Sequence, residues 1–330
     1  MPRIVRFHKT GGPEVLQIED LPVTPPAAGE VQIKVHALGL NRAESMFRSG
    51  QYLEVPQLPA RLGYEAAGTI TAVSPDVTGF NVGEAVSTIP NFSMRQYGAY
   101  GELVNMPASA IAKHPANLSF IEAAAVWMQY LTPYGALIDI ADVKAGEFVL
   151  ITAASSSVGL AAIEIANMLG AIPVALTRRS SKRDSLLKAG AKYVIATEEQ
   201  DLVAEVNRIT DGKGARIIFD PVGGPTLNKL ADAAATGGII FLYGALSPEP
   251  TPLPLFAALG KQLTIRGYIL FELTTVPERL ERAKAFVIKG LAEGSLKPVI
   301  DKTFPLERIV EAHRYMESNQ QIGKIVVTVE

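Results

Sequence analysis

The run Thr152-Ala-Ala-Ser155-Ser156-Ser157-Val158-Gly159 sets a turn of small side chains directly after an apolar stretch. Such a turn, opening into a helix, lets a pyrophosphate approach free backbone N–H groups at the positive end of the helix dipole. The next apolar stretch ends in Thr177-Arg178-Arg179-Ser180, with Lys182 just beyond. An acid at that place would hydrogen-bond a free ribose 2′-hydroxyl, whereas a cation suits a 2′-phosphate. The pair of features points to NADPH, with Ser155, Ser156, Ser157, Val158 and Gly159 at the pyrophosphate and Thr177, Arg178, Arg179, Ser180 and Lys182 around the 2′-phosphate. A guanidinium fork matches phosphate well, which puts Arg179 first. Two plainer readings stand beside this one. Small residues also suit an ordinary buried strand-to-helix turn, and the cations suit a solvated helix start. The usual glycine fingerprint is only partly present, since Ala153 and Ser156 occupy two of its three positions.

Composition narrows the classes. The chain has 330 residues, 48% of them hydrophobic, enough for two domains of roughly 100–200 residues each. A formal net charge of −2 leaves no electrostatic footprint for nucleic acid or an anionic membrane. There is no cysteine, so disulfides, thiolate catalysis and cysteine–zinc sites are excluded. The histidines, His8, His36, His114 and His313, form no metal-binding pair along the chain. The N-terminus lacks the apolar core of a signal peptide, and the weakly polar stretch 123–138 is broken by Gln129, Thr132 and Pro133, short of a ~20-residue span. A cytoplasmic protein without membrane or nucleic-acid partners is expected.

The elements that must position these residues change in texture along the chain. Short strand patterns at 4–7, 16–19, 30–38, 68–73, 84–87 and 102–104 are separated by Gly/Pro/Asn clusters, with one helix expected at 42–49. Ser119-Phe-Ile-Glu122 reads as a capping box opening a helix. Strands at 147–152, 172–177, 192–196, 215–219, 238–243 and 263–269 then alternate with helices at 158–169, 180–189, 200–209, 224–235 and 277–293. That alternation predicts an α/β unit with a parallel sheet covered on both faces. From 297 onward the β texture returns, with a helix at 306–318. The expected division is 1–120 with 272–330, and 121–271.

A set of motifs in order carries a resemblance. They are Phe7-His-Lys-Thr-Gly-Gly-Pro-Glu-Val-Leu16, Gly39-Leu-Asn41-Arg-Ala-Glu-Ser45, Leu62-Gly-Tyr64-Glu65-Ala-Ala-Gly68, Gly79-Phe-Asn-Val-Gly83, Leu131-Thr-Pro-Tyr-Gly135, Asp220-Pro-Val-Gly-Gly224 with Tyr243-Gly244, and Ile322-Gly-Lys324. Together they resemble the zinc-independent, quinone oxidoreductase-like (zeta-crystallin-like) branch of the medium-chain dehydrogenase/reductases. The resemblance implies a Rossmann doubly wound parallel sheet domain plus a discontinuous, β-rich GroES-like domain. It also implies a homodimer formed through the strand at 263–269, whose uncovered edge invites pairing. Where zinc-dependent relatives place metal ligands, this chain has Asn41, Tyr64 and Met128, none of them a plausible zinc ligand. No metal is expected.

Without a metal, stabilising an alkoxide is difficult, and the resemblance implies NADPH-dependent reduction of a quinone or an α,β-unsaturated carbonyl. Hydride adds at an electron-poor carbon, and the protein supplies a hydrogen-bond donor and a proton at oxygen. Tyr52 and Tyr64 are the candidate donors, although each phenol also suits simple loop packing. Asn41 is a candidate for the nicotinamide ribose or the substrate oxygen, or else a turn residue. Thr132 is a candidate for the carboxamide, or else a helix cap before Pro133. Trp127, Met128 and Tyr130 are expected to line the substrate pocket, with Phe271 beside the cofactor; plain core packing is the alternative. Tyr193 is expected to flank the adenine, and Gly244 and Ala245 to bring backbone close to the cofactor at the carboxyl end of a strand. Lys324 is a candidate to reach the cofactor, or else a surface lysine, and Asp220 is expected to be structural. Two other readings remain open, a metal-free alcohol/carbonyl oxidoreductase and a catalytically weak, NADPH-binding crystallin-like protein.

Overall fold

The structure is a computed structural model that describes residues 1–329. It divides into two compact units, one formed by Met1–Met128 and the segment from Pro298 onward, the other by Gln129–Lys297. The chain therefore leaves the first unit and returns to it, as its sequence texture predicts. The crossings differ from expectation. The return comes after residue 297 rather than 271, because the long helix Pro277–Glu293 belongs with the second unit. Its Arg279 donates to Asp139 of that unit at 2.7 Å, and Leu280, Ala283, Val287 and Leu291 bury one face.

The second unit is a six-stranded, all-parallel sheet. Its strands run in the order Tyr193–Ala196, Ile172–Thr177, Phe148–Ile151, Ala215–Asp220, Ala234–Leu242 and Thr264–Gly267. Numbered by sequence, this is 3-2-1-4-5-6, the doubly wound order that opens a crevice at the carboxyl ends beside its first strand. The apolar runs predicted as strands are short and buried on both faces, and Leu150, Val174, Ile218, Leu230 and Ile240 share one core. Tyr193–Ala196 and Thr264–Gly267 are its two edge strands. The helix Leu255–Lys261 beside the latter was not anticipated, because the Pro-rich stretch before it hid a helix with no fully buried residue.

The first unit is β-rich. A three-stranded sheet runs Leu16–Asp20, Arg3–Phe7, Ala60–Arg61. A larger sheet of seven strands carries Lys324–Thr328 between Ile300–Pro305 and Glu30–Gly39, so the chain's last strand sits inside the sheet that its early strands begin. Close approach explains two glycines here. A Cβ on Gly39 would lie 2.0 Å from the Ala124 carbonyl oxygen, and one on Gly68 would lie 2.1 Å from that of Lys34. The alanines Ala37, Ala67, Ala123, Ala124 and Ala125 pack around the same contact. Ser119 caps the helix Phe120–Ala123 with the reciprocal Glu122 contacts its sequence predicts. No helix among the described residues is long and apolar enough to cross a membrane.

Candidate active site

In the second unit the strand Phe148–Ile151 runs into the small-residue turn and then the helix Ser157–Met168. Ser156 is its N-cap, and its Oγ accepts from the Gly159 N–H at 3.1 Å. The N–H groups of Ser157 and Val158 belong to the first turn, which has no intrahelical acceptors. Gly159 packs the helix against the strand, since a Cβ there would lie 2.6 Å from the Ala154 carbonyl oxygen. Ala153 occupies the left-handed region at φ 45°, which explains why glycine is the usual choice and costs ~1–2 kcal/mol with alanine. Thr152 and Asp220 are hydrogen-bonded through their side chains, and the Asp220 carboxylate accepts from Val222 N and Gly223 N, each at 3.0 Å. Asp220 is thus structural, as expected.

The basic group lies at the carboxyl end of Ile172–Thr177. Lys182 Nζ donates to Ser155 Oγ at 3.0 Å, which joins the basic group to the small-residue turn. Arg178 and Arg179 are exposed, and Arg179 Nε donates to Glu198 at 2.8 Å. An ion pair with 75% and 46% exposed side chains is worth little, so a phosphate can compete for this guanidinium. Glu199 accepts from the Ser180 N–H at 3.0 Å. These two acids, and Thr197 whose Oγ1 donates to the Thr177 carbonyl at 3.3 Å, border the candidate site, and sequence reading passed over them. Their signal was their place just after a parallel strand.

Tyr193 requires a correction. It begins its strand and pairs with Val174, three residues short of the carboxyl edge, and its ring packs against the sheet's core. It therefore does not lie at the ligand edge. Gly244 follows the strand Ala234–Leu242, with Ala245 next. Its missing Cβ is explained within the protein, because a Cβ would lie 2.6 Å from the Pro221 carbonyl oxygen. Thr132 sits inside the helix Trp127–Pro133 rather than capping one, and Phe271 opens the short helix Phe271–Thr274. Tyr130, expected in the substrate pocket, is core instead: it is buried and donates its hydroxyl to Glu164 at 2.9 Å. Burial holds the Glu164 carboxyl up at about 7.

In the first unit, four polar side chains meet in the protein interior. Lys324 Nζ donates to Glu65 Oε2 at 2.5 Å and to Asn41 Oδ1 at 2.6 Å. Asn41 Nδ2 donates to Glu65 at 3.1 Å, to Glu44 at 3.2 Å and to the Gly39 carbonyl at 3.3 Å. Glu44 also accepts from the Asn41 N–H at 2.6 Å and the Tyr64 N–H at 3.1 Å, and Glu65 accepts from the Met128 N–H at 2.9 Å. The Lys324 and Glu65 side chains are 0% and 1% exposed. Lys324 and Asn41, both expected at the cofactor, are tied to each other: the ammonium is held by Glu65 and Asn41, and the Asn41 amide is engaged within the protein on both of its polar ends. Trp127 is core as well, with Nε1 donating to Ser87 Oγ at 2.8 Å.

Beside this cluster, Tyr64 is wholly buried and directs its hydroxyl at Tyr52 Oη, 3.4 Å away. Burial raises both phenols above their ordinary value, so both are neutral donors at physiological pH. Tyr52 is only partly buried and is carried by the loop after the helix Arg42–Ser49. Phe47 and Phe92 flank the pair, with ring centroids 6.4 Å from Tyr52 and 5.5 Å from Tyr64. Among the described residues, no three His, Cys, Asp or Glu side chains gather as for a metal ion.

Comparison with known proteins agrees with this architecture. Residues 27–116 match the alcohol dehydrogenase GroES-like domain, and residues 157–286 match the zinc-binding dehydrogenase family. The chain is 33% identical to the quinone oxidoreductase of Homo sapiens, over 98% of this chain and 97% of that protein. The chain belongs to the quinone oxidoreductase family of medium-chain dehydrogenase/reductases, the zeta-crystallin-like branch. It is also 31% identical to a 2-haloacrylate reductase of Burkholderia sp, over 97% of each chain. The Escherichia coli quinone oxidoreductase solved in complex with NADPH superimposes with a TM-score of 0.91 at 33% identity, over 99% of each chain.

The buried cluster sets a pH dependence. Burial, followed by repulsion from Glu65, pushes the Glu44 carboxyl up to about 7 against the pull of Lys324 and its hydrogen bonds. A raised folded value means that its contribution is full below the ordinary value near 4.5 and is lost as pH rises through about 7. Urea unfolding at pH 5 and pH 9 therefore gives a stability difference, wild type minus Glu44→Gln, that falls by about 3 kcal/mol. A difference that does not vary with pH would rule this out.

Proposed function

We propose that the chain is an NADPH-dependent reductase of quinones or α,β-unsaturated carbonyl compounds. The observation that supports this reading is the contact of Lys182 with Ser155, in the small-residue turn before the helix Ser157–Met168 at the carboxyl edge of a doubly wound sheet. The fit is chemical as well as spatial. The first-turn N–H groups suit a pyrophosphate, and Arg179, Arg178, Lys182 and Ser180 suit a 2′-phosphate. NADPH bound there supplies a hydride. Tyr52 is the donor to the substrate oxygen, because it is the partly exposed member of the phenol pair. Tyr64 is the positioning residue, its hydroxyl directed at Tyr52 from the buried side. Met128, whose N–H is fixed by Glu65, remains the candidate for the apolar pocket wall. An activated alkene is the favoured substrate class, since a phenol donor meets the need of a developing enolate more easily than that of an alkoxide. The quinone- and haloacrylate-reducing relatives support the same class.

Fluorescence titration with NADPH and NADH tests the cofactor. NADPH is expected to bind at least about tenfold more tightly than NADH, and Arg179→Ala to remove most of that preference. Equal affinities in the wild type would refute the phosphate assignment. Steady-state reduction of a benzoquinone and a simple enone tests the donor: Tyr52→Phe is expected to lower kcat about 100-fold with the NADPH affinity unchanged. Retention of full kcat would remove Tyr52 from the chemistry.

The unit with the parallel sheet also favours a homodimer. The strand Thr264–Gly267 pairs on one side only, with Ala234–Leu242, and Leu253, Phe256, Leu259 and Ile269 beside it are 67%, 88%, 67% and 45% exposed. Sedimentation equilibrium is expected to report a dimer for the wild type and a monomer for Phe256→Asp/Leu259→Asp. A monomeric wild type would end this reading.

A further inference from the structure

Arg61 ends the strand Ala60–Arg61, directly opposite Arg6 of the strand Arg3–Phe7. Like charges in opposed positions on neighbouring strands repel and are ordinarily avoided. Arg6 is partnered by Glu19 at 3.2 Å, but that carboxylate is shared with His8 at 2.5 Å. No carboxylate among the described residues pairs with Arg61 or with Arg95. Arg61 is nonetheless partly withdrawn from water, and burial together with Arg6 lowers its guanidinium from the ordinary value.

The space in front of it is a cavity of about 190 Å³ lined by Gln57, Pro59, Ala60, Arg61, Met94, Arg95 and Gln96. Two guanidinium groups and two carboxamides border it, and no acid does. Glu54, the acid on the same loop, is held by Ser93 Oγ at 2.7 Å. Met94 is buried, and the exposed Arg95, Gln96 and Gln57 rim the opening. Donors of this kind around a small cavity, with a partly buried Arg61 that no carboxylate of the lining pairs, are complementary to a carboxylate or phosphate group.

The geometry points to an oxyanion-binding site formed by Arg61, Arg95, Gln57 and Gln96, taking the carboxylate or phosphate of a small molecule. It is separate from the Arg179 cluster, which lies in the other unit. Gln57 belongs to the loop that also carries Tyr52, so an occupied site ties down the segment that presents the candidate donor.

Isothermal titration calorimetry of the full chain with inorganic phosphate and with succinate, in low-salt buffer, tests this. Phosphate can also occupy the Arg179 cluster, so the titration is made in wild type, Arg179→Ala, Arg61→Gln and Arg95→Gln. Saturable binding that survives Arg179→Ala but weakens about tenfold or more in both Arg61→Gln and Arg95→Gln is expected. Response to phosphate alone, to succinate alone or to both supports the site and names its source as phosphate, carboxylate or either. Without added anion, Arg61→Gln is expected to melt no lower than wild type, because it removes the repulsion with Arg6. Absence of saturable binding of either anion, binding unchanged in both variants, or a lower melting point for Arg61→Gln in anion-free buffer would overturn the proposal. Arg95 is exposed, so Arg95→Gln remains informative if the first variant folds poorly.

Discussion

The ammonium of Lys324, buried between Glu65 and Asn41, is the constraint on which the first unit depends. It brings together three places far apart in the chain: the final strand, the start of the helix Arg42–Ser49 and the strand Glu65–Val73. A buried charge is tolerable only when paired and hydrogen-bonded, and removing one partner strands the others. Each carboxylate oxygen in the cluster accepts at least one N–H, so the network specifies a single arrangement of loops. Tyr64 is seated by it through its backbone, and Tyr64 in turn directs its hydroxyl at Tyr52. The phenol pair is thus linked to the buried cluster through the Tyr64 backbone.

The second unit depends on backbone geometry more than on charge. Its sheet order places the turn after Phe148–Ile151 at the central crevice, where the strand order reverses. The serine-rich turn departs from the glycine pattern and is held by its own contacts. Ser156 caps the helix, Gly159 stays where a Cβ would collide, and Ala153 bears the left-handed conformation. The hydroxyl of Ser155 is used as well, as the acceptor for Lys182. The substitutions thus trade a permissive backbone for side chains that tie the turn to the basic cluster.

Much of the fold was legible along the chain. Strands buried on both faces of a parallel sheet read as continuous apolar runs, and the helices between them carry caps and 3.6-residue periodicity. That is why Ile172–Thr177 and Pro277–Glu293 fell where their sequences place them. The helix Leu255–Lys261 was hidden because it buries no residue completely and follows a Pro-rich stretch. Assigning Pro277–Glu293 to its unit needed the Asp139 contact, which joins residues 140 positions apart.

The candidate site was legible in kind but not in role. The turn and the arginines announce themselves because a phosphate site is built from consecutive residues. The sequence alone determined that this chain alternates strands and helices around such a site, and that it has no cysteine with which to build a thiolate or cysteine–zinc centre. Only the tertiary structure decided that Lys324 and Asn41 bind each other, that Trp127 and Tyr130 are core, and that Tyr193 stands away from the ligand edge. It also decided that Tyr52, not Tyr64, is the more exposed phenol. The physical reason is the same in each case. Hydrogen bonding and burial are set by neighbours distant in sequence, and a residue's type states what it can donate or accept without stating which partner has already taken it.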